Sequence, residues 1–393
     1  MAAANINNAL NELGLDSWLL NAREPADSGR KILSLDESNL RLKINAFAYR
    51  LFGVEGFVNL GLWRRWLDEL DRFDLVHLHN VHGYYMPFEV LRILLSKPCV
   101  WTLHDYWLVI GGPASPLSDK SSGAFWERAM PFANFHYPAE WIDRSRRRRT
   151  KLLGLVAGKK PAIVVPSHNA AACLKNMGLT SMPLHVIPHG FFGDDPAPND
   201  AARRSARMKR GWPIDKHIFL FASANVDIQQ KGFGVFMEAL LAISRPAKWV
   251  AFVAGGNAAE AQARAGKANV DIRFLGMLGA EEIKECFRAC DTYVTPTLSE
   301  TYGLAVVEAL AEGAQVVCSD LPVLREVTGG NAIYFTPGDY KALSIELRRL
   351  LDSIDKPDRT AVAANIRMRF SKTRMAQEYI RLYQGVIDFT PRI

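Results

Sequence analysis

Short apolar runs recur along this chain, and between them apolar positions return every three or four residues. The first pattern fits strands buried on both faces, and the second fits helices with one apolar side. The runs predict strands at 17–22 (SWLLNA), 74–80 (DLVHLHN), 99–105 (CVWTLHD), 162–167 (AIVVPS) and 184–190 (LHVIPHG). After a Pro- and Asp-rich stretch, GDDPAPND at 193–200, the rhythm resumes at 217–224, 248–256, 271–277, 292–297, 314–320 and 332–337. Segments such as GVFMEALLAI, EEIKECFRAC and YKALSIELRRLLDSI predict helices between them. Val-, Ile- and Phe-rich strands spaced by helices predict an α/β fold of two halves, each a covered parallel sheet, facing each other across a cleft. The chain opens on a predicted helix at 2–13, ended by Gly14, with no strand ahead of it. Alternating α/β units usually start with a strand and a Gly-rich turn, so a first strand and its loop are expected to be missing.

Ligands of such sheets bind beyond the carboxyl ends of the strands. Loops at those ends carry polar residues in both halves, among them TLHDYW, SANVDIQQKGFG and PTLSETYG. In SANVDIQQKGFG, Lys231 precedes Gly232, an arrangement that suits a diphosphate, although a loop lysine is more often simply solvated. No GxGxxG follows a strand and no GxxxxGK[ST] occurs, so the dinucleotide and P-loop fingerprints are absent. In PTLSETYGLAVVEALAEG, Glu300 and Gly303 precede a predicted helix at 304–312 whose free N–H groups favour a phosphate. Glu300 is placed to accept hydrogen bonds from sugar hydroxyls or merely to cap that helix. Glu308 sits where both helix faces are apolar, and an unpaired buried carboxylate is costly. It calls for an internal cation or for paired ligand donors such as a ribose diol. TLHD ends a strand with His104, which can polarise a reacting group, and Asp105, which can orient it. His77 and His79 form HLH, but without a nearby third ligand, so no metal site is expected.

Composition narrows these readings. Nearly half of the 393 residues are hydrophobic, and 48 Lys and Arg against 41 Asp and Glu give a net charge of +7. Five scattered cysteines show no ligand spacing and read as free thiols of a reducing cytoplasm. No secretory leader and no membrane-spanning run is expected. Much of the excess charge lies in RSRRRRTK at 144–151, within a predicted helix at 141–158. That helix suits anionic lipid or the phosphates of a lipid-linked substrate, or is a solvated basic face. No nucleic-acid reader motif accompanies it.

Taken together, the sequence resembles glycosyltransferase family 4, whose members have the GT-B fold of two facing Rossmann-like domains. ETYGLAVVE looks like the family's E-x7-E signature, and RFLGML, ACDTYVTPT and QVVCSDLPVLREV follow in the family's order. In the first half, DLVHLHNVHGYYM, VWTLHDYW and PSHNAAACLKNMG resemble a bacterial surface-polysaccharide subgroup. The resemblance implies an N-terminal acceptor-side domain at 1–190, a nucleotide-sugar domain at 191–372, and a last helix, about 373–393, packing back on the first. It implies that Glu300 contacts the donor sugar, Glu308 the ribose and Lys231 the diphosphate, with Gly303 and Leu304 at the helix start. It places His104 near the anomeric centre and Arg273 and Phe274 beside the base. Asn225 stands where many members carry a phosphate arginine. The implied reaction is metal-independent transfer, with retention, from a nucleotide-diphosphate-sugar to a hydroxyl of a glycan or lipid-linked acceptor, the acceptor pocket lying at about 106–140. The enzyme is expected to be cytoplasmic and to touch the inner membrane face peripherally through 144–151. An epimerase or phosphorylase on the same fold, or a non-catalytic nucleotide-sugar binder, are the alternatives.

Overall fold

The computed structural model describes residues 2–22, 31–35, 37–110, 144–180, 182–191, 196–243, 246–268, 270–353 and 359–389. Residues 111–143, which hold most of the expected acceptor loop and the start of the basic segment, lie outside these, as do 193–195 of the linker. The chain divides into two units, residues 1–191 with 370–393, and residues 192–369.

The first unit holds β1 (Leu19–Asn21), β2 (Ile32–Ser34), β3 (Val76–Leu78), β4 (Cys99–Thr102), β5 (Ala162–Val165) and β6 (Leu184–Val186). β1 and β2 form a parallel pair, and the other four form a separate parallel sheet in the order β3-β4-β5-β6. The first element is the helix Ala2–Glu12, and Gly14 follows it with φ 88°. A cavity of about 440 Å³ is lined by residues around β1 and by His77 and His79 of the neighbouring sheet's edge. Strand residues alternate between two cores, because successive side chains of a strand point to opposite faces. Trp101, Ile163 and Val165 face one core with Leu91, Leu152 and Leu174. Val100 and Val164 face the other, against Ile6 and Leu10 of the first helix and Met375 and Tyr379 of the last helix, Lys372–Phe389. The last helix is thus part of this unit, and the Tyr379 hydroxyl lies 2.9 Å from that of Thr102.

The second unit holds β7 (His217–Asn225), β8 (Trp249–Gly256), β9 (Ile272–Gly276), β10 (Thr292–Thr295), β11 (Gln315–Ser319) and β12 (Ile333–Phe335). They form one parallel sheet in the order β12-β11-β10-β7-β8-β9. β8 is buried along almost its whole length, which explains its unbroken apolar sequence, and β10 is buried throughout although a threonine stands at each end. Phe219, Phe221, Ala251 and Val253 pack on Phe236 and Leu240 of the helix Phe233–Ala242. Full burial of each Phe, Val or Leu side chain among them stabilises the fold by roughly 1.5–3 kcal/mol. The carboxylate of Asp291, just ahead of β10, accepts from the Ile218 amide at 2.8 Å and pairs with Arg207 at 2.6 Å. Both side chains of that pair are buried, and it fixes the helix Asp200–Arg210 to the sheet.

Candidate functional site

In the second unit, β7 ends at Asn225 and leads through a single 3₁₀ turn, Gln229–Lys231, into the helix at Phe233. This loop is stitched to the one after β10. The Gln230 carbonyl accepts from the Leu298 amide at 2.8 Å and from the Thr297 hydroxyl at 3.2 Å. The Gln230 side-chain amide donates to the Ser299 carbonyl at 3.1 Å. Gly232 lies between the loops with φ 76°, and a Cβ there would meet the Pro296 carbonyl oxygen at 2.0 Å. The turn is therefore one that only glycine can close.

The stitching brings two of the expected site residues into contact: Lys231 Nζ donates to Glu300 Oε1 at 2.7 Å. Glu300 does not cap the following helix, Leu304–Ala311. The N-cap residue is Gly303, with φ 90°, and no side chain bonds that end. The helix start therefore presents uncapped amides beside a lysine, an arrangement suited to an anion. Asn225 keeps its side-chain oxygen buried, without a hydrogen-bond partner among the described residues.

The helix also explains where Glu308 sits. Val306, Val307, Ala309, Leu310 and Ala311 are buried, whereas Leu304, Ala305 and Glu308 form a narrow partly exposed strip. Glu308 makes no hydrogen bond or ion pair among the described residues. The nearby cation, Lys284, is held by Glu281 at 2.7 Å. Burial pushes the Glu308 carboxyl up from an ordinary 4.5 to about 7, with Lys284 opposing the rise. A raised folded-state value favours the fold most below about 4.5, and that contribution is lost as pH rises through about 7. An internal cation is thus not what accommodates the charge.

Two other expected residues lie on β9. Arg273 and Phe274 are neighbours on the edge strand β9, so their side chains take opposite faces. Arg273 pairs with both oxygens of Asp271, at 2.9 and 3.0 Å. The Phe274 ring packs at 6.1 Å from that of Phe233, at the margin of the core.

In the first unit, His104 follows β4 and belongs to a row of imidazoles. His79 Nδ1 lies 3.0 Å from His104 Nε2, and the ring of His189 stacks on His104 with centroids 5.1 Å apart. Burial lowers His104 to about 4 and His77 and His189 to about 3, so these rings are neutral near pH 7. His77 bridges the hydroxyls of Tyr383, at 2.6 Å, and Thr102, at 2.8 Å. Asp105 does not orient His104. Its carboxylate accepts from the Trp107 amide at 2.9 Å and lies 2.7 Å from His82 Nε2. A third histidine does approach His79, contrary to expectation, yet no metal-holding group of three or more such residues occurs among the described residues. His79, Gln230 and Thr297 were missed as positioning residues, and only their place in polar strand-end loops signalled them.

Comparison with known proteins agrees with this architecture. The sequence profile of Glycosyltransferase Family 4 matches residues 3–191, and that of Glycosyl transferases group 1 matches 216–353. The phosphatidyl-myo-inositol mannosyltransferase of Mycobacterium leprae is 31% identical over 335 residues, covering 82% of this chain and 76% of that one. Sucrose-phosphate synthase from Thermosynechococcus elongatus superposes with a TM-score of 0.68 at 16% identity, over 99% of this chain and 93% of that one. Anabaena HepE in complex with UDP and glucose superposes with a TM-score of 0.60 at 17% identity, over 83% and 82% of the two chains. The matched profiles and the extent of these likenesses make the chain a GT-B glycosyltransferase that belongs to glycosyltransferase family 4.

Proposed function

We propose that the enzyme transfers a sugar, with retention of anomeric configuration, from a nucleotide-diphosphate-sugar to a hydroxyl of a lipid-linked glycan in surface-polysaccharide synthesis. The observation that carries this reading is the Lys231–Glu300 pair beside the uncapped start of Leu304–Ala311, with Glu308, unpaired among the described residues, one turn further on. The complex of HepE with UDP and glucose supports a nucleotide-sugar donor, and the glycolipid named for the M. leprae relative supports a lipid acceptor. Among the described residues no helix is long and apolar enough to cross a membrane, which fits a cytoplasmic enzyme that meets its acceptor at the membrane's inner face.

In this reading the donor diphosphate takes Lys231 and the free amides at Gly303 and Leu304, and Glu300 is released to hydrogen-bond the sugar. The ribose diol donates to Glu308, and Asn225 Oδ1 accepts from a donor hydroxyl. The segment of β9 that holds Arg273 and Phe274 borders the base. His104, held neutral, acts as a hydrogen-bond partner to the sugar and not as a cation. The bond from the anomeric carbon to the diphosphate oxygen breaks while the acceptor oxygen bonds the same face of that carbon. The acceptor proton passes to the leaving phosphate oxygen, and Lys231 with the helix start stabilises the charge that grows there. No step calls on a metal.

Incubation of the enzyme with a nucleotide-sugar and a lipid-diphosphate acceptor tests this, with chromatography of the lipid fraction. Labelled lipid is the expected product. Interconversion of the donor sugar without any acceptor would favour an epimerase instead.

The Glu308 assignment carries its own pH dependence. The ionised carboxylate accepts from the two ribose hydroxyls, one at each oxygen, more strongly than the neutral acid, so donor binding should strengthen as pH rises through about 7. Calorimetric titration between pH 6 and pH 8 should show an affinity gain of up to about tenfold, since one pKa unit corresponds to a tenfold change. Glu308→Gln should flatten that dependence. An equally steep profile in the variant would remove Glu308 from the ribose site.

A further inference from the structure

We propose that His79 is a positioning residue for His104: its Nδ1 accepts from His104 Nε2–H and leaves His104 Nδ1 as the acceptor for a hydroxyl of the transferred sugar. The inference rests on the reading of His104 as a hydrogen-bond partner of that sugar, and goes further by naming the atom and what holds it. The two rings are 27° from coplanar with centroids 5.2 Å apart, while their facing nitrogens are only 3.0 Å apart. They therefore meet edge to edge, as a hydrogen bond in the ring plane requires. His79 is the residue after β3 and His104 the second after β4, two adjacent parallel strands. The His79 carbonyl accepts from Trp101 Nε1 at 3.1 Å, and the Leu103 amide donates to the Val164 carbonyl at 2.9 Å, so the backbone is fixed on each side.

Neutrality makes the pair directional. Burial lowers His79 well below its ordinary 6.5, as it lowers His104, so neither ring is a cation near pH 7. A neutral imidazole has one N–H and one acceptor nitrogen, so one of the two facing nitrogens carries a hydrogen and the other does not. With that hydrogen on His104 Nε2, both rings take the Nε2–H form, the one a histidine side chain prefers in water. The reverse would put both rings in the less favoured Nδ1–H form. His104 Nδ1 is then left as an acceptor, since the bond at one ring nitrogen sets the role of the other. It makes no hydrogen bond among the described residues, and His104 is partly exposed. His77 keeps the His79 ring in place. The spacing of two puts both on one side of β3, and their ring centroids are 4.2 Å apart. His77 is itself pinned at both nitrogens, by Tyr383 of the last helix and by Thr102, which in turn bonds Tyr379. The row thus runs from the last helix to His104, and a ring supported in this way meets the sugar without first reorienting.

The test uses the full chain with isotope-labelled histidines, read by nitrogen NMR without donor or acceptor. The His104 signals are identified by their loss in His104→Gln. Wild type should show His104 in the Nε2–H form. His79→Asn, whose side-chain oxygen can accept where Nδ1 lay, should keep that form, and His79→Phe should give a mixture with Nδ1–H. In sugar transfer His79→Phe should lower kcat about tenfold to a hundredfold, the scale of a misplaced group at a reacting centre, with the donor KM changed less. His79→Asn should recover most of that rate, and thermal melts check that both variants fold. Because the tautomer is read in the free enzyme, it can be right while the proposed transfer reaction is wrong, and the reverse. A wild-type His104 in the Nδ1–H form overturns the proposal, whatever the variants do. Unchanged tautomer and turnover in His79→Phe also overturn it. So does a folded His79→Asn enzyme as slow as His79→Phe, which would make His79 a packing residue only.

Discussion

Replacing Lys231 by Ala or Glu300 by Gln should lower kcat/KM for sugar transfer by about a thousandfold, the scale seen when one preorganised charge-stabilising group is removed. Lys231 is the cation that the structure holds beside the uncapped helix start, the place where the leaving diphosphate's charge would develop. Glu300 pairs with it at 2.7 Å, and in the proposed function donor binding would exchange that partner for phosphate while Glu300 turns to the sugar hydroxyls. The two side chains are partly exposed, so breaking their ion pair should change stability by no more than about 1 kcal/mol. Thermal melts should therefore superpose on those of wild type while steady-state turnover collapses. Near-wild-type turnover in either variant would take that residue out of the reaction.

Gly232→Ala should act on the same site through the backbone. Its positive φ costs an alanine about 1–2 kcal/mol. The added Cβ also meets a backbone carbonyl, that of Pro296, which cannot rotate aside as a side chain could. Because Gln230 is bonded to Thr297, Leu298 and Ser299, relief of the clash must move the two loops apart and draw Lys231 from Glu300. Donor affinity should fall about tenfold or more, equivalent to at least about 1.4 kcal/mol, together with a lower urea midpoint. Gly303→Ala is the milder comparison, since its Cβ would meet the movable Leu324 side chain at 2.6 Å. Unchanged affinity in Gly232→Ala would show that the loops are not coupled as described.

The sheets were legible in the sequence because buried parallel strands such as Val250–Val253 are apolar at every position. β2 escaped because Ile32–Ser34 is only three residues long and follows Lys31. Side-chain partners were harder to read. His104 and Asp105 are adjacent in sequence, yet they bond to different neighbours, His79 and His82, brought in by the loop after β3. Arg273 and Phe274 illustrate the same geometry on β9. Glu308 was visible as an anomaly, but that its nearby cation is Lys284, itself held by Glu281, depends on packing between helices that spacing along the chain does not encode.

The most direct test is the anomeric configuration of the sugar in the product. Purified enzyme is supplied with nucleotide-sugars such as UDP-glucose and GDP-mannose together with lipid-diphosphate acceptors, and the glycolipid is examined by NMR. The new linkage should keep the anomeric configuration of the donor, and Lys231→Ala should form almost none of it. An inverted linkage, or equal product from Lys231→Ala, would contradict it.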